Sequence, residues 1–428
     1  MKEYINPPLS LWPTLCQRPS LELEFLEGRV KNIINRVKLS GDEALKELSV
    51  QIDKVSLGTL QVTEEELAVA ETCVPPGLKQ CIRVATANIA KFHKAQQEKT
   101  LYVDTMPGVR CWRKPVPIGK VGIYVPGGTA PLFSTLLMLG VPAKMAGCRE
   151  IVLCTPSRPD GSIDPTILFA AREIGINQIF KVGGAQAIAA MAYGTATIPA
   201  VHKVFGPGNQ YVTKAKQLVS LEGTAIDLPA GPSELLVVAD KNAYPAFIAA
   251  DLLSQAEHGP DSQVVLVTTD TRMMEKVKKE VAKQLAALPR KDMAGQALQS
   301  SLLITMEDEN DAIGFVNAYA PEHLILNTEN HSEQSERIVN AGSVFLGPFT
   351  PEAVGDYASG TNHTLPTNGM ARAYSGVSLA SFQKSITFQQ LDEKGLAGLG
   401  PVVEQMAEAE QLIAHKRAIS IRLEKNGI

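Results

Sequence analysis

The sequence predicts an α/β protein made of two doubly wound, parallel-sheet units, with helical segments before and after them. Three observations carry that expectation. From about residue 120 onward, short β-rich runs alternate with helical patterns, as parallel sheets covered by helices require. Three of the strand-to-helix turns carry a Gly pair or Gly-Pro-Gly, namely Gly127-Gly128, Gly183-Gly184 and Gly206-Pro207-Gly208. The alternation also falls into two blocks, roughly 121–234 and 235–350, each long enough for its own sheet.

Taken in order, the first 120 residues read as mostly helical. Thr63-Glu64-Glu65-Glu66 matches a capping box. Leu78, Ile82, Ala85, Ile89 and Phe92 recur at helical spacing after Pro75-Pro76, and Pro107-Gly108 marks a turn. Strands are expected at Val121–Val125, Ile151–Cys154, Gln178–Val182 and His202–Phe205, with Asp164-Pro165 opening one of the intervening helices. In the second block, strands are expected at Glu234–Val238, Val264–Val267, Ser301–Thr305, Leu324–Asn327 and Ser343–Leu346. The tail after Pro401 reads as helical and rich in charge.

Composition narrows the function classes. The chain has 428 residues, with 41 Lys and Arg against 45 Asp and Glu, a formal charge of −4. With 45% hydrophobic and 20% charged residues it reads as a folded, soluble protein rather than a disordered one. No basic excess exists to neutralise phosphates, so a nucleic-acid partner is not expected. The longest apolar stretch, Ala130 to Cys148, is interrupted by Pro131, Pro142 and Lys144, so no membrane span is expected. The six Cys form no CxxC pair and read as reduced thiols of a cytoplasmic protein.

The glycine turns let backbone N–H groups approach an anion at a helix N-terminus, beyond the carboxyl ends of strands. None matches the dinucleotide fingerprint: Gly206-Pro207-Gly208 is followed three residues on by Tyr211, and no P-loop is present. Singly, each is read as a tight turn; together they weakly favour a nucleotide bound in a non-standard way. Seven His residues allow individual inspection. Asn242 is expected to cap a helix from Ala243 to Glu257, which sets Gln255 and His258 on one face. Imidazole suits Zn²⁺ and an amide oxygen is a weaker ligand, so this pair alone is more often a surface arrangement. Glu322-His323, in a loop before an apolar strand, joins a carboxylate to a group that titrates near neutrality. Gly355–His363 reads as a polar, Gly-rich loop offering Asp356 and His363 as ligands or substrate contacts. Glu410 and His415, five apart on one straight helix, would point about 140° apart. His93, His202 and His331 are assigned structural roles. With no HExxH or HxH, a metal site must be assembled from distant segments.

Seven separated segments, in order along nearly the whole chain, resemble the L-histidinol dehydrogenase family. They are Gly122–Gly128, Val182–Ala190, Phe205–Asn209, Pro229–Glu234, Ser254–Gly259, Pro321–Leu324 and Gly355–Pro366. The resemblance implies oxidation of L-histidinol to L-histidine with two NAD, the last steps of histidine biosynthesis. It implies one Zn²⁺ per subunit on Gln255, His258, Asp356 and His415. Substrate contacts fall on Ser233, His323, His363, Glu410 and the metal shell, and NAD contacts on Tyr124, Gln186 and Asn209. His323 becomes the general base and Glu322 the residue that activates water.

The same resemblance implies incomplete Rossmann-like domains in an intertwined homodimer, in which His415 and Glu410 serve the neighbour's site. It divides the chain into an N-terminal arm (1–20), one α/β domain (21–123 plus 235–377), a second bearing the NAD contacts (124–234) and a helical tail (378–428). Two rivals stay in view. A dehydrogenase of another polar alcohol would change Ser233, His363 or Glu410, and a zinc-stabilised binding protein would lack the Glu322-His323 pair.

Overall fold

The computed structural model describes residues 1–19, 23–127, 130–228 and 231–425, with the side chains of 23–25 left aside. Gly128, Pro229 and Ala230 of the matched segments, and the expected boundary at residues 20 and 21, lie outside the described residues. In chain order the strands are β1 (Lys2–Ile5), β2 (Leu101–Met106), β3 (Val109–Pro117), β4 (Lys120–Tyr124), β5 (Glu150–Thr155), β6 (Gln178–Lys181) and β7 (Lys203–Phe205). They continue with β8 (Ala225–Ile226), β9 (Glu234–Ala239), β10 (Gln263–Thr268), β11 (Leu302–Thr305), β12 (His323–Asn327), β13 (Ser343–Leu346) and β14 (Gln383–Leu391).

Two parallel sheets result, ordered β6-β5-β4-β7-β8 and β1-β11-β10-β9-β12-β13. Without the edge strand β1, both run third-second-first-fourth-fifth in their own chain order. Each therefore reverses direction beside its first strand, between β4 and β7 and between β9 and β12. The parallel arrangement follows from residues that are apolar on both strand faces. In β9, Leu235 and Val237 enter one core while Leu236 and Val238 enter the core on the opposite face. In the other sheet, Ile151 and Leu153 of β5 face one core and Val152 and Cys154 the other. Burial of each such side chain contributes about 1.5–3 kcal/mol.

By contacts, the chain forms two units: Met1–Ala95 with Ile118–Phe382, and Gln96–Pro117 with Gln383–Ile428. The first contains both parallel sheets. The second holds the antiparallel sheet β14-β3-β2 and the helices Glu393–Ala409 and Ile413–Lys425. Among the described residues, no helix is long and apolar enough to cross a membrane.

The local signals held where they rest on side-chain chemistry. Thr63 and Glu66 form the capping box, and the Asp164 side chain accepts from Thr166 N at 2.8 Å before helix Pro165–Glu173. Each such cap contributes about 1 kcal/mol. The first 120 residues are mostly helical, as expected, but they also hold strands that the sequence did not announce. β1 pairs in parallel with β11, and β2 and β3 form a hairpin about Pro107-Gly108. β2 is exposed along its whole length, so it leaves no burial pattern to read. The segment from 378 is likewise not wholly helical: β14 pairs antiparallel with β3, a partner far away in sequence. Helix Pro245–Ala256 begins after Tyr244, not at Asn242, whose backbone N–H instead binds Asp240.

Candidate active site

One cluster of titratable groups gathers at the amino ends of β9 and β12. Neighbouring strands place Glu234 and His323 there as first residues, with Glu322 just before. Helix Pro245–Ala256 brings Gln255 at its last turn, and His258 follows directly. Helix Glu352–Tyr357 brings Glu352 and Asp356, four residues apart and so on one helical face. Asp356 therefore lies in a short helix rather than in the polar loop expected there. Gly342 lets this end close up: a Cβ on it would lie 2.5 Å from the Glu322 carbonyl oxygen.

The His323 ring is buried, and its two nitrogens meet different surroundings. Nδ1 lies 3.3 Å from the Glu234 carbonyl oxygen, 3.4 Å from Glu352 Oε1 and 3.6 Å from Glu322 Oε2. The backbone carbonyl can only accept, so a neutral ring carries its proton on Nδ1. Nε2 is buried without a hydrogen-bond partner, with Asp356 Oδ1 3.6 Å away. Glu322 Oε2 accepts from Glu234 N at 2.9 Å. Behind the cluster, Arg18 holds Glu234 through both carboxylate oxygens, at 2.6 and 2.8 Å. Breaking a pair this buried costs about 3–5 kcal/mol.

Electrostatics separate these groups. Burial pushes the Glu322 carboxyl up to about 8, against the opposing pull of His323. Burial alone would lower His323, but Glu352, Glu322 and Asp356 outweigh it and raise the ring to about 10. Burial drives Glu352 well above the usual carboxylate range. Burial also acts to raise Asp356, yet the nearby His323, with His363 and His258, holds its carboxyl below its ordinary value. Asp251, one turn before Gln255, is raised by burial to about 7. Several carboxyl groups are thus pushed toward their neutral form by burial, and a divalent cation beside them would favour the ionised form.

Two overlapping donor sets could hold such a cation, and both include Asp356. In the expected set, His258 Nε2 lies 4.0 Å from Asp356 Oδ2, and the Gln255 amide reaches the same cluster beside Glu352. In the other, the ligand atoms of His323, Glu352 and Asp356 lie within 4.8 Å of one another. The imidazole, carboxylate and amide donors of the first set suit Zn²⁺ and leave His323 Nε2 free for chemistry. His363 joins the cluster through Nδ1, 2.8 Å from the Asp356 carbonyl oxygen. Ser233 precedes Glu234, and its carbonyl accepts from Gln263 N at 3.2 Å.

Glu410 and His415 belong to the second unit. Glu410 ends helix Glu393–Ala409, and Gln411 at φ +60° turns the chain into helix Ile413–Lys425. The two residues thus lie on different helices, which replaces the single-helix geometry expected from their spacing. Both are exposed.

The glycine turns gather at the carboxyl end of the five-stranded sheet. Tyr124 ends β4 and its hydroxyl accepts from Gly184 N at 3.0 Å. Gln186 is buried, its Nε2 3.4 Å from Asp53 Oδ2. Asn209 caps helix Gln210–Leu221 by accepting from Tyr211 N and Val212 N at 3.0 and 3.2 Å. Gly206, at φ +129°, packs so tightly that a Cβ would collide with the Tyr124 carbonyl oxygen. Only glycine permits that approach at the point where the strand order reverses.

Sequence reasoning missed Glu352, Glu234, Arg18 and Asp251. Glu352 had a readable signal, since Pro351 precedes a four-residue spacing to Asp356. Arg18 had none, because its partner is 216 residues away.

The chain resembles known proteins along nearly its full length. The family model for histidinol dehydrogenase matches residues 16–423. A histidinol dehydrogenase of Bacteroides thetaiotaomicron is 57% identical over 423 residues, covering 99% of each chain. One from Xanthomonas axonopodis pv. citri is 54% identical over 395 residues, or 92% of each. The crystal structure of histidinol dehydrogenase from Elizabethkingia anophelis superposes with a TM-score of 0.98 at 53% identity, covering 100% of this chain and 99% of that one.

Proposed function

The chain belongs to the histidinol dehydrogenase family, and from that premise we propose that it oxidises L-histidinol through the aldehyde to L-histidine in two NAD-linked steps. The observation that carries the residue-level reading is the asymmetry of His323: acceptors crowd Nδ1, while Nε2 is buried and unpartnered. That ring is a base whose lone pair faces the site.

Zn²⁺, one per subunit, would be held by Gln255, His258, Asp356 and His415 of the partner subunit. When bound, it supplies a template that orients the imidazole and amino nitrogens of the substrate. NAD, when bound, supplies the hydride acceptor. The carboxyl end of the five-stranded sheet would receive it, with Tyr124, Gln186 and Asn209 shaping the floor. The strand order there, as in dinucleotide-binding halves, supports that placement.

His323 Nε2 takes the proton of the alcohol oxygen as a hydride leaves the carbon that bears it, producing the aldehyde. Glu322 then takes a proton from water as its oxygen adds to the aldehyde carbon, and His323 returns the first proton to the carbonyl oxygen, which leaves the hydrate and a neutral ring. His323 takes the hydroxyl proton of the hydrate as the second hydride leaves, and the carboxylate results. His323 must be neutral to begin, and a cation beside Asp356 would remove part of the field that raises it to about 10. Ser233 and His363 border this cluster and would contact the substrate, joined by Glu410 of the partner subunit.

The shared site makes a homodimer part of the proposal. Exposed Tyr102, Phe388, Met406 and Ile413 in the small second unit support it. A cytoplasmic setting, with no nucleic acid or membrane partner, belongs to the same reading. The test is NADH formed per L-histidinol consumed by metal-loaded protein. Two NADH and one histidine are expected. A single NADH with the aldehyde accumulating, or no turnover, would overturn it.

A further inference from the structure

Glu352 has no part in the mechanism above, yet it lies closer to His323 Nδ1 than Glu322 does, at 3.4 against 3.6 Å. It opens helix Glu352–Tyr357 one turn before Asp356, so one helical face sends carboxylates to both sides of the ring. Glu352 Oε1 reaches Nδ1, while Asp356 Oδ1 lies 3.6 Å from Nε2. The same Glu352 oxygen also meets the Gln255 amide. The orientation that satisfies both groups has the amide nitrogen donating to Glu352 Oε1, with the amide oxygen accepting from Glu234 N at 3.3 Å. Glu322 Oε2 in turn accepts from Glu234 N. Glu352 is 1% exposed, and its Oε2 has no hydrogen-bond partner. A carboxylate buried at such cost, touching both the base and an expected metal ligand, calls for a role.

We propose that Glu352 is a positioning residue, holding His323 in the Nδ1-protonated tautomer with Nε2 toward the substrate, and holding the Gln255 amide by its nitrogen. The inference rests on the reading of His323 as the base. A carboxylate on the far nitrogen fixes the tautomer, as in other carboxylate–imidazole pairs, and an amide in its place can donate to that nitrogen and reverse the tautomer.

The test compares wild type, Glu352→Gln and Glu352→Asp as metal-loaded proteins. Ring-nitrogen NMR shifts of His323, assigned with His323→Gln, report the tautomer without any turnover. In Glu352→Gln the ring proton is expected to move from Nδ1 to Nε2. Its kcat is expected to fall about 100-fold, with KM for histidinol within about threefold and metal content unchanged. Glu352→Asp is expected to keep the Nδ1–H tautomer and recover part of kcat, and it carries both measurements should Glu352→Gln not fold. An unchanged tautomer and kcat in Glu352→Gln would overturn the proposal. So would loss of metal with the Nδ1–H tautomer kept, which would place the role of Glu352 on the metal rather than on the ring. If wild type itself formed no NADH, the reading of the reaction would fail, while the ring shifts would still decide whether Glu352 holds His323.

Discussion

The two parallel sheets share one strand order but gather their distinctive groups at opposite ends. In the five-stranded sheet the glycine turns gather at the carboxyl end, around the reversal between β4 and β7. In the six-stranded sheet the titratable cluster sits at the amino ends of β9 and β12. The carboxyl end of that second sheet has a polar groove lined by Asp240, Lys241, Asn242, Asp270, Glu309 and Glu329. There the Asp240 carboxylate accepts from Asn242 N, Ala243 N and Glu329 N at 2.8, 3.1 and 2.6 Å. It takes up backbone N–H groups that a phosphate would need. Topology alone therefore does not say where a ligand sits: side chains take up backbone donors at both carboxyl ends, Asp240 here and Asn209 in the five-stranded sheet.

The largest test of this contrast lies at the amino end. His323→Ala is expected to lower kcat about 10³-fold, the usual range for loss of a general base. Normal turnover of that variant would remove the cluster from the chemistry.

Next comes the charge balance of the same end. Asp251 titrates near 3.8 when unfolded and is raised by burial to about 7 in the fold. The native state is then disfavoured progressively as pH rises from the lower value through the higher one, with no penalty below both. Asp251→Asn is expected to stabilise the protein at about pH 8 by on the order of a few kcal/mol, and not at about pH 3.5. Melting curves at both values would check it, and equal shifts would refute the burial effect.

A smaller effect is expected at the carboxyl end of the five-stranded sheet. Gly206→Ala forces a Cβ against the Tyr124 carbonyl at a backbone angle that side chains rarely adopt. Strain of about 1–3 kcal/mol should raise KM for NAD about tenfold or more, with histidinol binding measured by calorimetry unchanged. An unchanged KM for NAD would move the cofactor elsewhere. The smallest effect belongs to the groove of the second sheet: Lys241→Ala is expected to leave kcat and both KM values within about twofold. A larger loss would show that both carboxyl ends take part.

Much of this was legible in the chain. β4, β5, β9, β10 and β12 are runs of apolar residues bounded by turns, and burial on both faces makes such runs readable without knowing their neighbours. Glu322, His323, Gln255, His258 and Asp356 were legible through motif and residue chemistry, and the fold gathers all five into one cluster. β2 and β14 were not, because exposed strands carry no burial period and take their register from distant partners.

By itself, then, the sequence determined the α/β alternation, the helix caps at Thr63 and Asp164, and the family. Each depends on side-chain identity at short range or on ordered motifs. The tertiary structure alone decided that Arg18 clamps Glu234 and that Glu352 stands against His323 Nδ1. It also decided that Asp240 fills the donors of the second sheet's carboxyl end. Those outcomes depend on which distant groups share a buried volume. There, desolvation and a few tenths of an ångström set which atoms are satisfied and which stay free for chemistry.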